Sequence, residues 1–261
     1  MAHKIKVKFS DLAKMIDHSL LHPTMTDIDI EQGCLLAKQY NVATVCVKPY
    51  AITQCMQILG DTDVKICAVI GFPHGNSTTT IKMQEALEAV KAGAQEIDMV
   101  VNIGKVLSGD WEYVSYEIRM INEIVVGNGG IVKVIFENDF LGEKEIRKLA
   151  EICRDLGVAF VKTSTGYGFV KDGASGMYSY KGATVKDLRI MKSVVGDKVQ
   201  VKAAGGVRTL DDLIRIRSVG VTRVGATATE AILEEAKKRG IGEEAVEVDV
   251  KTDPEQASGG Y

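Results

Sequence analysis

VQVKAAGGVRTLDDLIRIRSVGVTRVGATATEAI, residues 199–232, holds two units of one pattern. Val199–Lys202 alternates β-branched Val with Gln200 and Lys202, as a strand with two distinct faces does. Gly205-Gly206 turns the chain, and Leu210–Val219 then follows a helical period that stops at Gly220. A second apolar run, Thr222–Val224, passes through Gly225 into a second helical stretch, Thr227–Lys238. Strands joined by helices in this way run parallel, because the helix carries the chain back to the starting edge.

The same rhythm extends to the N-terminus. Further strand-like runs are Ala43–Val47, Lys65–Ile70, Glu96–Val101, Val132–Phe136 and Val158–Lys162, with a shorter one near Met15–Leu20. Helical periods separate them at Thr26–Gln39, Tyr50–Leu59, Thr79–Ala92, Tyr113–Val126, Glu143–Leu156 and Thr184–Val194. In the period over 79–92, Ile81, Ala86, Leu87, Ala89 and Val90 form the apolar stripe, and Lys82 falls off it. Gly93, Gly157 and Gly220 sit where left-handed caps end helices.

Eight strand–helix units in 261 residues average about 33 residues each, the size of one unit of a (β/α)8 barrel. A doubly wound sheet would place G-x-G-x-x-G after its first strand, and that motif is missing. The pattern predicts an α/β fold: a single (β/α)8 TIM barrel over residues 1–261, with a short N-terminal helix and a polar, mobile tail over 240–261. Residues 167–183 break the rhythm as a long Gly/Tyr/Ser loop.

Composition narrows the function classes. Hydrophobic residues are 46% and charged residues 26%, ordinary for a globular protein, and no apolar run is long enough for a membrane span. A net charge of −3 argues against a nucleic-acid surface. The five cysteines, Cys34, Cys46, Cys55, Cys67 and Cys153, show no C-x-x-C spacing and read as buried thiols. No apolar signal segment opens the chain, so the cytoplasm is the expected compartment.

In such barrels the chemistry lies at the C-terminal ends of the strands. Four ionisable residues stand inside otherwise apolar strands: Asp98 in EIDMVVN, Lys133 in VKVIFE, Lys162 in FVKTSTG and Lys202 in VQVKAAGG. If Ile97, Met99, Val161 and Val201 face the helices, alternation turns Asp98, Lys162 and Lys202 toward the barrel axis. Burying such groups costs several kcal/mol each unless they pair. A free lysine, with a pKa near 10.4, is neutral in only about one molecule in 2,500 at pH 7. Desolvation and a neighbouring ammonium raise that fraction, and a nearby carboxylate can carry protons. Lysines clustered with an aspartate therefore point to Schiff-base chemistry, with no metal or cofactor.

A second feature points to an anion. Gly205-Gly206-Val207-Arg208 follows the seventh strand, Gly225-Ala226-Thr227 follows the eighth, and Gly166 follows the sixth. Backbone N–H groups bared by glycines at helix starts hold phosphate.

KTSTGYG (162–168), VKAAGGVRT (201–209), EIDMVVN (96–102), VIGFPHG (69–75) and IDHSLLHP (16–23) together resemble the deoxyribose-phosphate aldolase family, from about residue 10 to 238. The resemblance implies a metal-free class I aldolase on a (β/α)8 barrel. Its reversible reaction cleaves 2-deoxy-D-ribose 5-phosphate to acetaldehyde and D-glyceraldehyde 3-phosphate. It places the imine lysine at Lys162, proton-transfer residues at Lys202 and Asp98, and a further active-site lysine at Lys133. Asp17 and Cys46 match positions lining the substrate end, and Gly166, Gly205, Gly206, Arg208, Gly225 and Thr227 match the phosphate cradle. Tyr261 matches a terminal tyrosine that assists proton transfer in some members. The implied partners are a small phosphorylated sugar and acetaldehyde, with no nucleic acid or membrane, in a homo-oligomer (dimer or tetramer). Several positions depart from the pattern. Tyr167 replaces a lysine near the phosphate in some members, Thr227-Ala228 replaces Ser-Ser, and His22 and Lys48 replace Lys and Asn. Asn138-Asp139 is also unusual. The competing readings are a related Schiff-base aldolase or thiolase acting on another sugar phosphate, and a non-catalytic phosphate-ligand binder.

Overall fold

The computed structural model describes residues 4–171 and 175–251. Strand β1 (Lys4–Val7) and helix α1 (Phe9–Ala13) lead into β2 (Ile16–Leu20), α2 (Asp27–Tyr40), β3 (Thr44–Val47) and α3 (Ile52–Leu59). Next come β4 (Lys65–Ile70), α4 (Thr79–Lys91), β5 (Glu96–Val100), α5 (Ile103–Leu107), α6 (Trp111–Gly127), β6 (Ile131–Ile135) and α7 (Glu143–Leu156). The chain continues through β7 (Phe160–Lys162), β8 (Val170–Lys171), β9 (Tyr178–Ser179), α8 (Val185–Val195), β10 (Gln200–Ala204) and α9 (Leu210–Ser218). It ends with β11 (Arg223–Ala226), α10 (Thr229–Lys238) and β12 (Val246–Asp249).

Eight of these strands pair in parallel in the order β2-β3-β4-β5-β6-β7-β10-β11, and β11 returns to β2 to close the barrel. This is the expected (β/α)8 barrel, and α1 is the expected short N-terminal helix. Ile97, Met99, Val161 and Val201 point outward into the main core, as alternation requires. The helices meet them with their apolar stripes. In α7, Ile146, Leu149, Ala150 and Cys153 are buried at i, i+3, i+4 and i+7. Each such Leu or Ile contributes about 1.5–3 kcal/mol. Side chains cap the helices that follow the site strands. Thr184 accepts from Asp187 N at α8, and Thr209 forms a capping box with Asp212 at α9.

Three details differ from the sequence reading. The polar segment after residue 240 is not all tail, since β12 pairs antiparallel with β1 and Phe9 N donates to Gly242 O at 2.7 Å. Val246 and Val248 pack against the core, which gives this strand an apolar side that polar composition hid. In α4 the stripe is rotated: Ile81 is exposed and Lys82 is buried. Lys82 Nζ finds Glu117 Oε1 at 2.9 Å and Val100 O at 2.8 Å, so its charge is paired beneath the helix. The loop over 167–183 carries the small β8–β9 hairpin. It is tied to the end of β6 where Asp139 accepts from Lys181 N at 2.7 Å and Gly182 N at 3.0 Å.

Candidate active site

The strand register brings the interior charges level. Lys202 pairs with Lys162 on one side and with Arg223 on the other, and Asp98 pairs with Lys133. Asp98 Oδ2 accepts from both Lys162 Nζ and Lys202 Nζ, each at 2.7 Å. Asp98 Oδ1 accepts from Lys133 Nζ at 2.9 Å. Thus the four strand residues singled out in the sequence meet around one carboxylate.

Burial alone would raise the Asp98 carboxyl, but Lys133, Lys162 and Lys202 overcome it and hold Asp98 well below the carboxylate range. Burial pushes Lys202 down, yet Asp17 and Asp98 outweigh it, so Lys202 stays an ammonium. Lys133 is likewise raised well above its ordinary value: Asp98, Cys67, Asp17 and Glu96 outweigh its burial. Lys162 is therefore accompanied by two ammonium groups that hold their protons.

Two charged residues of this network were missed. Glu96 receives Lys133 Nζ at 2.5 Å, and Arg223 Nη1 reaches Glu96 Oε2 at 2.9 Å and Asp17 Oδ1 at 2.7 Å. Their signal was present: Glu96 lies two residues before Asp98 on the same face, and Arg223 is an ionisable residue inside the last barrel strand. Asp17 belongs to this network rather than to an open wall. Its side chain is fully buried, with Oδ2 at 2.5 Å from Lys202 Nζ as an ion pair outside hydrogen-bond alignment. Despite the cost of its burial, Lys202, Lys133 and Arg223 hold Asp17 ionised.

Cys46 lies in a separate interior apolar cluster with Leu21, Cys67 and Val69. Cys67 Sγ is 3.0 Å from Asp98 Oδ1. Cys46, Cys67 and Asp98 are close enough to share a cation. Both Asp98 oxygens already accept from ammonium groups, and those positive charges oppose a further cation.

Another missed residue is Glu137, just past β6. It is buried with a left-handed backbone (φ 59°) and accepts from Thr165 N at 3.3 and 3.2 Å, and from Thr165 Oγ1. It thereby braces the loop that carries Gly166. Burial pushes its carboxyl up to about 7, against the lowering effect of the Thr165 hydrogen bonds.

A cleft of about 280 Å³ opens beside this centre, lined by Tyr180, Gly205, Gly206, Val207, Arg208, Gly225, Ala226 and Thr227. Gly205, Gly206, Arg208, Gly225 and Thr227 were all expected there, whereas Gly166 is not among its lining residues. Gly205 and Gly206 both have φ of 82°, and a Cβ on Gly205 would fall 1.4 Å from Tyr180 Oη. Only glycine fits at 205, because the Tyr180 hydroxyl packs directly against that backbone.

Tyr167 goes elsewhere. It lines a separate apolar chamber of about 230 Å³ with Leu21, Pro23, Pro49, Val69 and Phe72 among others. Its ring meets Phe72 edge-on, with centroids 5.6 Å apart. Tyr167 thus serves an apolar wall rather than the glycine-lined cleft. Tyr261 lies outside the described residues.

A closed (β/α)8 barrel with three interior lysines around one carboxylate, beside a glycine-lined cleft, is an arrangement suited to a barrel aldolase. Comparison with known proteins agrees: the pattern described as DeoC/LacD family aldolase matches residues 12–229, and the chain belongs to that family. It is 47% identical over 241 residues to a deoxyribose-phosphate aldolase of Rhodopirellula baltica, covering 92% of this chain and 95% of the relative. A Caldanaerobacter subterraneus protein of the same name is 44% identical over 233 residues, covering 89% and 96%. Among solved structures, a tetrameric deoxyribose phosphate aldolase from Aeropyrum pernix superposes with a TM-score of 0.78 at 29% identity, covering 88% of this chain and 93% of the other.

Proposed function

We propose that the protein cleaves 2-deoxy-D-ribose 5-phosphate, reversibly, to acetaldehyde and D-glyceraldehyde 3-phosphate through an imine on Lys162. The observation that carries this reading is Lys162 Nζ at 2.7 Å from an Asp98 oxygen shared with Lys202, beside a cleft of glycine turns and Arg208. The names of the relatives support the substrate.

The chemistry follows from the open-chain sugar. Lys162 adds to the C1 aldehyde, water leaves, and a protonated imine forms. Removal of the proton from the C3 hydroxyl breaks the C2–C3 bond, and its electron pair moves into the iminium to give an enamine. Glyceraldehyde 3-phosphate departs. Protonation of the enamine carbon gives the imine of acetaldehyde, and water releases it from Lys162. Lys202 and Asp98 hold and move these protons, with Lys133 fixing Asp98 from its other oxygen. Gly205, Gly206, Arg208, Gly225 and Thr227 hold the phosphate, with Gly166 in the loop braced by Glu137. Cys46 borders the site from β3.

The proposal includes Tyr261 as a proton carrier, on the resemblance of its Gly259-Gly260-Tyr261 ending. Tyr261→Phe should then slow exchange of acetaldehyde methyl protons without affecting imine trapping. One barrel domain, a homo-oligomer and a cytoplasmic setting complete the proposal. The tetrameric Aeropyrum pernix enzyme supports assembly, and five buried free thiols support a reducing compartment. No helix among the described residues is long and apolar enough to cross a membrane. The deciding experiment is borohydride reduction with acetaldehyde and peptide mapping, alongside a product assay over phosphorylated and free sugars. An ethyl group on Lys162 and release of acetaldehyde from the phosphorylated sugar are expected. Preference for another sugar phosphate would replace the substrate assignment.

A further inference from the structure

The charges in the barrel form a ring. Asp98 Oδ1 meets Lys133 at 2.9 Å, Lys133 meets Glu96 at 2.5 Å, and Glu96 meets Arg223 at 2.9 Å. Arg223 meets Asp17 at 2.7 Å, Asp17 meets Lys202 at 2.5 Å, and Lys202 returns to Asp98 at 2.7 Å. Three carboxylates alternate with three cations, so the ring is neutral by itself. Lys162 stands outside it, attached to an Asp98 oxygen that Lys202 already uses. As an ammonium it would be a fourth cation on three buried carboxylates. As a neutral amine it leaves the buried cluster balanced.

We infer that Arg223 and Glu96 are positioning residues that set the proton occupancy of Lys162 by closing this neutral ring. They lie on the strands two removed from β7 on either side, β11 and β5. Both reach Lys162 only through other members of the ring. Arg223 holds Asp17 to its duty toward Lys202, and Glu96 does the same for Lys133. The Arg223 guanidinium also lies over the Phe160 ring, 5.1 Å from its centroid, which fixes it at the base of β7. The inference rests on Lys162 as the imine lysine.

The signs of the effects follow from charge. At the strand spacing of 4.7–4.9 Å, a group two strands away is about 10 Å distant. A unit charge there changes the pH for half-neutral amine by about one pH unit at an effective dielectric near 20. Removing the positive charge of Arg223 makes the Lys162 ammonium easier to keep. Removing the negative charge of Glu96 makes it harder to keep. The other titratable groups around Lys162 are Asp98 on β5, Lys133 on β6, Glu137 beyond it, Lys202 on β10, Asp17 on β2, Cys46 on β3 and Cys67 on β4. Arg223 and Glu96 also act on Asp17 and Lys133, so the comparison is read from the opposite signs of the two single variants and from the double variant.

The test is borohydride trapping with acetaldehyde, an uncharged probe, across pH, with each adduct mapped by mass. Glu96→Gln, nearly isosteric, should move the midpoint of trapping at Lys162 down by about one pH unit. Arg223→Gln should move it up by a similar amount, and the double variant should return it close to the wild type. Arg223→Lys keeps the charge and should keep the midpoint even where it lowers the melting temperature. A role limited to holding the barrel together would lower stability in all four without opposite displacements. Should Arg223→Gln fail to fold, the downward displacement in Glu96→Gln and its reversal in the double variant carry the test. An adduct on Lys162 with an unmoved midpoint in Glu96→Gln overturns the inference. A wild-type adduct on another lysine instead overturns the imine assignment.

Discussion

Lys162 and Lys202 donate to the same oxygen of Asp98, each from 2.7 Å. Two ammonium groups cannot share one carboxylate oxygen in a dry interior without strong repulsion. Lys202 has a second carboxylate in Asp17, whereas Asp98 is the carboxylate that pairs with Lys162. Lys162 is thus joined to the charge cluster through Asp98, while Lys202 is anchored by both Asp98 and Asp17.

Lys162→Arg should abolish turnover and trapping together, because a guanidinium stays protonated and forms no imine under these conditions. Circular dichroism checks that the fold is retained, and the permanent, bulkier cation beside a ring already balanced should lower the melting temperature. Residual trapping at Lys202 or Lys133 would move the nucleophile to that residue.

Asp98→Asn and Lys202→Leu should separate proton transfer from imine formation. Loss of positioned proton transfer costs about 10²–10⁴-fold in rate, so turnover should drop that far in each variant. Asp98→Asn should retain imine trapping better than carbon–carbon cleavage. It also leaves Lys133 and Lys202 short of a counter-charge, and about 3–5 kcal/mol of stability should disappear in a denaturant titration. Lys202→Leu likewise strips buried Asp17 and Asp98 of a counter-charge and should lose stability on a similar scale.

Arg208→Ala should raise KM for the phosphorylated sugar by about 10–100-fold, the worth of one charged hydrogen-bonding contact. KM for free deoxyribose should change little. Equal effects on the two sugars would make Arg208 a structural residue of the α9 approach, where its N–H donates to Asp212 Oδ2 at 3.2 Å.

Glu137 predicts a stability change with pH. Its folded carboxyl titrates at about 7, above the ordinary value of 4.5, so the folded state holds the proton more tightly than the unfolded chain. Stability from this group is greatest below about pH 4.5 and declines as pH rises through 7, by roughly 3 kcal/mol in all. Glu137→Gln should flatten that part of the curve of melting temperature against pH. Because Glu137 braces Thr165, ionisation should also alter KM for the phosphorylated sugar more than the rate of trapping. A curve with the same slope in Glu137→Gln assigns the pH dependence to other groups.

Local pattern was enough for the barrel and the core of the site. Strand–glycine–helix repetition dictated parallel strands, and two-residue alternation turned Asp98, Lys162 and Lys202 inward, because a pleated strand has only two faces. The glycines after β10 and β11 were legible because bare backbone near a helix start has few other uses. Alternation names a face but not the neighbours across the barrel. The closure of β11 on β2 and the register of β7, β10 and β11 bring Arg223, Asp17, Glu96 and Lys133 into one ring. Tyr167 became an apolar wall because Phe72 stands opposite it, and Lys82 was buried because Glu117 and Val100 O wait beneath α4. Sequence decided which residues could face inward. The closed register decided which charges meet, because pairing energy depends on distances between atoms that lie far apart along the chain.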